Sequence, residues 1–528
     1  MEHVEIIVAA LFVSAAGLNV LARWLDVPYP IPLVLGGLAL GLVPGIPEVE
    51  LDPDAVLLIF LPPLLYAAAS FGDLAALRAD VRAISMTAIG LVLVTIGVVG
   101  VIAHEAIGLP WAVSFALGAI VAPTDPVAAS AIMRRLGAPR RIVNLVEGES
   151  LVNDASALVA YRVALAAAVG GSFSALDATV DFLGAVAGGL AIGLATGWVV
   201  AHIRRRVDDP TTGSTISLLT GYAAFLPAEE LHVSGVLAAV TAGLYMGWHA
   251  PTIVTPEGRL QSGSMWEVLT FLLNAALFIL IGLQLPVIVD GLDTYGVGEA
   301  IGYSALVCAA VIGTRFLWLF TVPYLLRAVD RRPQQRARGV GAAPRIVVGW
   351  AGMRGAVSLA AALALPLETD AGATLPGRDL ILFITFAVIL FTVVAQGLTL
   401  PVLIRRLGVD VSEAELENEE AAARYAAARA GIARIDELAA EDWTNEDTID
   451  RARRLRQFRI RRLKVRLGKL DDEDGIEERS LAYQRLMHEI YVAERAALVR
   501  LRNEGGIGGE VIARIIRELD LEESRLEI

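Results

Sequence analysis

The sequence has little of the chemistry on which most soluble proteins depend. Of its 528 residues only 19% are charged and 55% are hydrophobic, and Cys308 is the single cysteine. One cysteine excludes a disulfide framework and a cysteine-rich metal site. The net charge of −13 has the wrong sign for a partner with a phosphate backbone, so a nucleic-acid binder is also excluded. Such a composition is typical of a membrane protein rather than a soluble enzyme.

Charge is concentrated at the C-terminal end of the chain. Residues 1–407 carry 29 acidic and 23 basic side chains, and the last 121 residues carry almost as many, 28 and 21. This contrast predicts two domains: a transmembrane domain, 1–407, and a cytoplasmic helical tail, 408–528, for which regulation is the expected role. The tail contains no apolar stretch long enough to span a membrane.

The transmembrane domain is expected to be all-α. A helix needs about 20 apolar residues to cross the hydrocarbon core. Thirteen stretches qualify, near 4–22, 30–46, 54–71, 83–103, 111–133, 142–168, 178–202, 213–230, 233–249, 264–288, 299–326, 345–366 and 379–404. The first is expected to be a retained span, because no basic signal-peptide leader precedes it.

The loops between these stretches predict the orientation. One alternate set of loops holds seventeen arginines, and the opposite set holds only Arg378. Positive charge prefers the cytoplasmic side of a membrane. The N-terminus is therefore expected outside the cell membrane and the tail inside, around a multi-pass domain.

The fifth stretch contains an acidic residue between two prolines. Pro126 has no N–H to donate to the carbonyl of Ala122, and Pro123 has the same effect one turn earlier. The helix is therefore expected to break at Thr124 and Asp125, near mid-membrane. Broken helices at that depth supply oxygen ligands for small cations in secondary transporters. The alternative is a simple proline kink with Asp125 solvated near a helix end.

The sixth stretch carries a broad polar face built from Glu149, Ser150, Asn153 and Asp154. These side chains offer hard oxygen ligands, which suit hard cations rather than zinc or copper. Asp154 is expected to exchange protons near physiological pH. Such a carboxylate can hold a proton or a cation but not favourably both, and that competition is the basis of exchange. The alternative is a hydrogen-bonded polar cluster that joins helices.

Arginines at membrane depth need carboxylate partners, because an unpaired buried charge is costly. Arg354 lies in a run of small residues in the twelfth stretch, and Glu149 is its expected partner, with Glu147 as the rival. Arg162 is expected to pair with Glu147 or to extend to the surface. Arg315 is expected to brace another carboxylate.

The order of the stretches suggests internal symmetry. Stretches 1–6 and 8–13 form equal blocks separated by a single helix, which makes the two blocks opposite in orientation. The broken fifth stretch then corresponds to the twelfth, which holds Arg354. Inverted six-helix repeats with paired broken helices crossing near mid-membrane are typical of transporters.

At these residues the chain resembles the monovalent cation/proton antiporter superfamily, and specifically the sodium/proton exchanger branch of the electroneutral Asn-Asp type. The resemblance rests on Thr124–Val127, Glu147–Asp154 and Gly352–Val357. It implies a thirteen-helix inverted-repeat fold with a six-helix core domain and a dimerisation domain, working as a homodimer. Residues 1–407 would then be the cation/proton exchanger domain.

The resemblance also implies roles for individual residues. It makes Asp154 the carrier of proton and cation. It places a Na+ ion among Thr124, Ser150 and Asp154, with Asp125 beside it and Asn153 holding the site together. It also implies a structural ion pair between Glu149 and Arg354. Asparagine at position 153 matches the electroneutral branch. One proton is therefore expected to exchange for one cation.

The expected function is secondary active exchange of Na+ or Li+ for H+ by alternating access, with no enzyme activity and no cofactor. A K+/H+ antiporter of the same mechanism stays open, because the same oxygens serve both cations. A cation channel is the alternative from another class. An intramembrane protease using Asp125 and Asp154 is a further alternative, but arginine-paired glutamates are not required for that chemistry.

The tail contains a basic segment, Arg451–Lys469, with no acid in it and a rough apolar stripe. It is expected to lie on the anionic lipid surface of the membrane or to bind a regulator. The alternative is a solvated helix paired with acids that follow it in sequence, such as Asp471, Asp472 and Asp474.

Overall fold

The computed structural model describes residues 2–43, 53–170, 175–292, 295–329, 341–370, 372–409, 413–472, 475–503, 509–524 and 526. Over these residues the regular elements are helices, and the one β-bridge is isolated, between Glu368 and Thr374. The predicted all-helical class is confirmed. The chain divides into two compact units, Met1–Asp410 and Val411–Ile528.

The described helices of the first unit are α1 Glu2–Trp24, α2 Pro30–Gly41, α3 Pro53–Phe71, α4 Leu74–Ile107, α5 Trp111–Val121, α6 Pro126–Arg135, α7 Arg140–Gly170, α8 Ala175–Arg204, α9 Pro210–Glu230, α10 Gly235–Ile253, α11 Pro256–Asp290, α12 Val297–Val329, α13 Ala342–Trp350, α14 Ala356–Leu363 and α15 Arg378–Leu407. Helices α4 and α15 contain short π-helical segments. Each apolar stretch predicted from the sequence overlaps one of these helices or a pair separated by a break.

Seven helical segments, counted over the described residues and with α5 and α6 taken together as one, are long and apolar enough to cross a membrane. They are Leu74–Ile107, Trp111–Arg135, Arg140–Gly170, Thr179–Arg204, Pro256–Asp290, Val297–Leu325 and Arg378–Leu407. Shorter apolar helices lie at Pro30–Gly41 and Ala55–Phe71. The number of thirteen spans and the inverted repeats stay predictions.

Close helix packing in this unit depends on small residues. A Cβ at Gly37 on α2 would lie 2.2 Å from the carbonyl oxygen of Ile279 on α11, and a Cβ at Gly282 would lie 2.3 Å from the carbonyl oxygen of Val34. Real side chains do not approach backbone oxygens that closely. Helices α2 and α11 therefore touch through their backbones, as is common where membrane helices pack on small residues.

The second unit consists, in its described part, of α16 Glu413–Leu438, α17 Glu446–Arg466, α18 Ile476–Asn503 and α19 Gly509–Ser524. The basic segment forms most of α17. Glu477 lies 2.5 Å from Arg466 and 3.0 Å from Arg462, and Asp436 lies 2.9 Å from Arg453. The observed partners thus replace the neighbouring acids expected from the sequence, which are Asp471, Asp472 and Asp474 (the last outside the described residues).

Glu477 stays ionised in this arrangement. Partial burial favours its neutral form, but hydrogen bonds from Arg462 and Arg466 outweigh that effect and hold the pKa of Glu477 below its usual range. The exposed face of α17 carries Leu455 and Phe458. Part of the basic segment is therefore neutralised within the tail, and its binding to lipid or a regulator stays a prediction.

Candidate functional site

Two helix breaks meet inside the first unit. The first lies between α5 and α6, where Asp125 is the N-cap of α6: its Oδ1 accepts a hydrogen bond of 2.8 Å from the backbone N–H of Val127, and Pro126 occupies the first helical position. The prolines account for this break, because neither can donate within a continuous helix. The predicted interruption at Thr124 and Asp125 is observed.

The second break lies between α13 and α14, at residues 351–355. The two breaks are directly bonded, since the backbone N–H of Asp125 donates to the carbonyl of Met353 at 2.8 Å. Gly355 makes the close approach possible, because a Cβ there would lie 1.9 Å from Oδ2 of Asp125. The structure therefore brings the fifth and twelfth apolar stretches together at their breaks.

The Gly355 contact gives a testable prediction. Gly355→Ala is expected to displace Asp125 and to destabilise the protein by about 1–3 kcal/mol, the usual cost of forcing a methyl group into a filled space. Gly313→Ala is the matched control, because nothing lies within 4 Å of a Cβ at that helical position. Thermal unfolding of the purified variants measures both effects, and equal stability of the two would contradict the close approach.

The polar face of α7 is buried. Glu149 and Asn153 are each 1% exposed, Ser150 is 5% exposed and Asp154 is 7% exposed. Asn153 donates from Nδ2 to Oγ1 of Thr124 at 2.7 Å, and Thr124 Oγ1 donates to Oε1 of Glu149 at 3.4 Å. Thr124, on the first break, is thereby fixed to two residues of α7.

The expected ion pair between Glu149 and Arg354 is wrong in this structure. Glu149 instead accepts two hydrogen bonds from Arg315 on α12, from Nη1 to Oε1 at 2.5 Å and from Nη2 to Oε2 at 3.1 Å. The Nε of Arg315 also donates to the carbonyl of Val348 at 3.2 Å. Both members of the pair are almost fully buried. The sequence analysis predicted only a general bracing role for Arg315, because no motif surrounds it in its stretch.

Arg354 binds a backbone carbonyl instead of the expected carboxylate. Its Nη1 donates to the carbonyl of Ala122 at 2.6 Å. That carbonyl lacks a helical donor because Pro126, four residues later, has no N–H. The backbone N–H of Arg354 donates to Thr392 at 3.0 Å. Arg354 therefore satisfies a backbone group left open by the first break and joins the two breaks.

Two other expected pairings also differ. Arg162 pairs with Glu229 at 2.5 Å, and not with Glu147. Glu147 pairs with Arg134 through two hydrogen bonds of 2.8 Å, so it is not the partner of Arg354 either. In both cases the partner lies on a different helix, which local sequence cannot identify.

Asp154 differs from Asp125, Glu147 and Glu149, whose carboxylates each accept a hydrogen bond. None of the described residues forms a hydrogen bond or an ion pair with its carboxylate, although only 7% of the residue is exposed to solvent. It lines a cavity of about 470 Å3 together with Thr124, Asp125 and Ser150. The cavity also reaches Arg134, in the last turn of α6. An unpaired carboxylate in a cavity lined by hydroxyl groups can bind a small cation or a proton.

A broken-helix crossing beside an unpaired carboxylate defines a multi-pass secondary transporter. The sequence profile of the family described as "Sodium/hydrogen exchanger, transmembrane" matches residues 7–406. The chain belongs to this family, as the motifs predicted. It is therefore a membrane antiporter of the sodium/hydrogen exchanger family and not an enzyme, and its family implies no cofactor.

Individual relatives agree with this placement. An uncharacterised Na+/H+ exchanger of Mycobacterium tuberculosis is 35% identical over 99% of this chain and 96% of its own length. A protein of Bacillus subtilis named sodium, potassium, lithium and rubidium/H+ antiporter is 34% identical over 75% of this chain and 61% of its own length. The solved sodium proton antiporter MjNhaP1 of Methanocaldococcus jannaschii has the same fold, with a TM-score of 0.59 and 20% identity, over 75% of this chain and 99% of its own.

Proposed function

We propose that this protein exchanges Na+ or Li+ for H+ by competition of the cation and the proton for Asp154. The single observation that carries the proposal is the state of that carboxylate: it is buried in a cavity, and no partner among the described residues neutralises it. Glu149, one turn away, is already paired with Arg315. Asp154 can therefore bind a cation and a proton in turn during a transport cycle, whereas Glu149 stays paired with Arg315.

The cation ligands proposed are Thr124, Ser150 and Asp154, with Asp125 beside them. All four line the same cavity. The hydroxyl of Thr124 accepts one hydrogen bond and donates another, and a hydroxyl oxygen has a second lone pair for a cation. Asn153 is the residue that holds this hydroxyl in place. Because hydroxyl and carboxylate oxygens suit hard cations, the site favours Na+ and its neighbours over softer metals.

Asn153 supports an electroneutral exchange of one cation for one proton, because its amide cannot release a second proton. Asn153→Asp is expected to make transport respond to voltage by adding a second titrating group beside Asp154. The measurement is the initial rate of exchange in proteoliposomes with and without a potassium–valinomycin potential. A voltage-independent Asn153→Asp exchanger would contradict the role given to Asn153.

The transport cycle proposed is alternating access. The cavity extends from the proposed ion ligands to Arg134 in the last turn of α6, which supports access to the site from that side. We further propose thirteen spans with inverted repeats, with the arginine-rich loops on the cytoplasmic side. The protein would work as a homodimer in the cell membrane. Its chain would divide into an exchanger domain, 1–407, and a regulatory tail, 408–528. These features come from the sequence and from the family resemblance.

Potassium is the second candidate substrate. The B. subtilis relative is named for sodium, potassium, lithium and rubidium, which supports a broad selectivity in a protein of the same family. A cation channel, the alternative from another class, would carry cations without proton exchange. Both alternatives can be separated from the proposal in one assay.

The test is transport in proteoliposomes that contain a trapped pH dye, with sodium, lithium, potassium or choline added outside. Sodium and lithium are expected to change the internal pH, and choline is not. A response to potassium as large as that to sodium would favour the broad exchanger. Uptake of radioactive sodium without any change in internal pH, with potassium and valinomycin present to hold the membrane potential near zero, would contradict antiport.

A further inference from the structure

A second pocket lies apart from the ion site, on the face that carries the arginine-rich loops. It has a volume of about 390 Å3 and is enclosed by the ends of α4, α7, α12 and α13. Much of its wall is apolar, with contributions from Met86, Leu145, Trp318, Leu319 and Val322. A pocket of this kind needs an occupant with an apolar part.

The charges around this pocket are predominantly positive. Arg82, Arg141 and Arg345 line it, and Asp80 is the only acid among the described residues that do so. Asp80 is already held by Arg141 through hydrogen bonds of 2.8 Å and 3.0 Å. Among the described residues, no acid is paired with Arg345.

Arg345 is a buried arginine with an unsatisfied hydrogen-bond donor. It is 7% exposed, and its Nη1 is buried without a hydrogen-bond partner. Its guanidinium carbon lies 4.9 Å from the centre of the Tyr324 ring, which supports the group from one side without supplying an acceptor. A buried guanidinium with an open donor is costly unless a negative group meets it. An anion that reached this guanidinium from the pocket would remove that cost.

Helix geometry adds to this positive field. Helix α13 begins beside the pocket at Ala342, and its N-cap residue, Gly341, supplies no side-chain cap. Helix α7 begins at Arg140, next to Pro139, which also lines the pocket. Helix N-termini present open backbone N–H groups and a partial positive charge, both of which favour anions.

We propose that this pocket binds an anionic phospholipid, with the headgroup phosphate at Arg345 and the glycerol and upper acyl chain against the apolar wall. A free phosphate would satisfy Arg345 but would leave the wall formed by Trp318 and Leu319 in contact with water. A lipid satisfies both, and the pocket lies where apolar helices end on the arginine-rich face, at the depth of headgroups.

The bound lipid would stabilise the surroundings of the ion site. Val348 lines the pocket, and its carbonyl accepts the hydrogen bond from Nε of Arg315. Arg315 in turn holds Glu149. The lipid and Arg315 therefore contact the same turn of α13. This inference concerns binding and does not depend on the proposed transport cycle.

The test is thermal unfolding of the full-length, delipidated protein in detergent with phosphatidylglycerol, phosphatidylcholine or inorganic phosphate added. Phosphatidylglycerol is expected to raise the unfolding temperature of wild type, and the other two are not. Arg345→Gln is expected to weaken the apparent affinity for phosphatidylglycerol at least about tenfold, since charge-assisted hydrogen bonds to phosphate are lost. Arg78→Gln, at an exposed arginine of α4 outside the pocket, should respond as wild type does.

Three outcomes would overturn the proposal. One is an Arg345→Gln protein that responds to phosphatidylglycerol like wild type. Another is inorganic phosphate acting as well as the lipid at equal concentration, which would identify a soluble anion as the ligand. If Arg345→Gln does not fold, Val322→Trp fills the apolar wall and leaves the guanidinium intact. A full response to phosphatidylglycerol in Val322→Trp would then exclude a lipid in this pocket.

Discussion

Replacing Asp154 with asparagine is expected to abolish sodium-dependent proton movement and to leave the protein folded. The substitution keeps the size of the side chain and removes the group for which cation and proton compete. No ion pair among the described residues depends on this carboxylate, so nothing is left uncompensated by its loss. Exchange measured with a trapped pH dye should fall to the level of protein-free liposomes.

Sodium binding gives a second readout of the same substitution. A ligand that binds only the folded protein stabilises it, by about 2.7 kcal/mol at a concentration 100 times its Kd. Sodium should therefore raise the thermal unfolding temperature of wild type and not of Asp154→Asn. This separates loss of the ion from loss of conformational change, because a variant that binds sodium but cannot cycle would still be stabilised.

Asp208→Asn is the matched control for this experiment. It makes the same chemical change at an exposed loop position of the first unit. It should transport and bind sodium as wild type does. Sodium-dependent proton movement by Asp154→Asn, at a rate comparable with that of Asp208→Asn, would refute the assignment of Asp154 as the carrier.

The second large effect is expected at Arg315. Arg315→Gln removes the partner of Glu149, which is 1% exposed, and breaking a buried ion pair in this way costs about 3–5 kcal/mol. The double variant Arg315→Gln/Glu149→Gln should recover much of that loss, because it leaves no unpaired charge. Thermal unfolding of the single and double variants measures the recovery.

Arg354 supplies the control for the Arg315 cycle. Arg354→Gln loses a charge-assisted hydrogen bond to the carbonyl of Ala122, which is worth about 1.5–3 kcal/mol. Adding Glu149→Gln to Arg354→Gln should bring no comparable recovery, since their side chains form no ion pair. Strong recovery with Arg354 and none with Arg315 would restore the pairing that the sequence suggested.

Much of the site could be predicted from the sequence because its causes are local. Pro123 and Pro126 break a helix wherever they are placed, and Asp125 before Pro126 is suited to cap the helix that follows. Charge at membrane depth is costly in any fold, which made Glu149 and Asp154 candidates before any contact was known. The family resemblance then assigned roles to the same residues.

The partners of the buried charges could not be predicted in this way. Arg315 and Glu149 are 166 residues apart, and nothing near either residue names the other. The sequence analysis predicted Arg354 as the partner of Glu149 because Arg354 is the arginine that lies within a motif. In the folded protein Arg354 donates a hydrogen bond to the Ala122 carbonyl, which has no helical donor because of Pro126. Glu149 pairs instead with Arg315 on α12.

The sequence by itself thus determined where the apolar helices run, where two of them break, and which charged residues those helices carry, because each depends on a few neighbouring residues. Only the tertiary structure decided that Glu149 is neutralised, that Asp154 is not, and that Arg345 lines a separate pocket with an open donor. Those facts depend on which side chains helix packing brings within about 3 Å of one another, the distance at which a hydrogen bond forms.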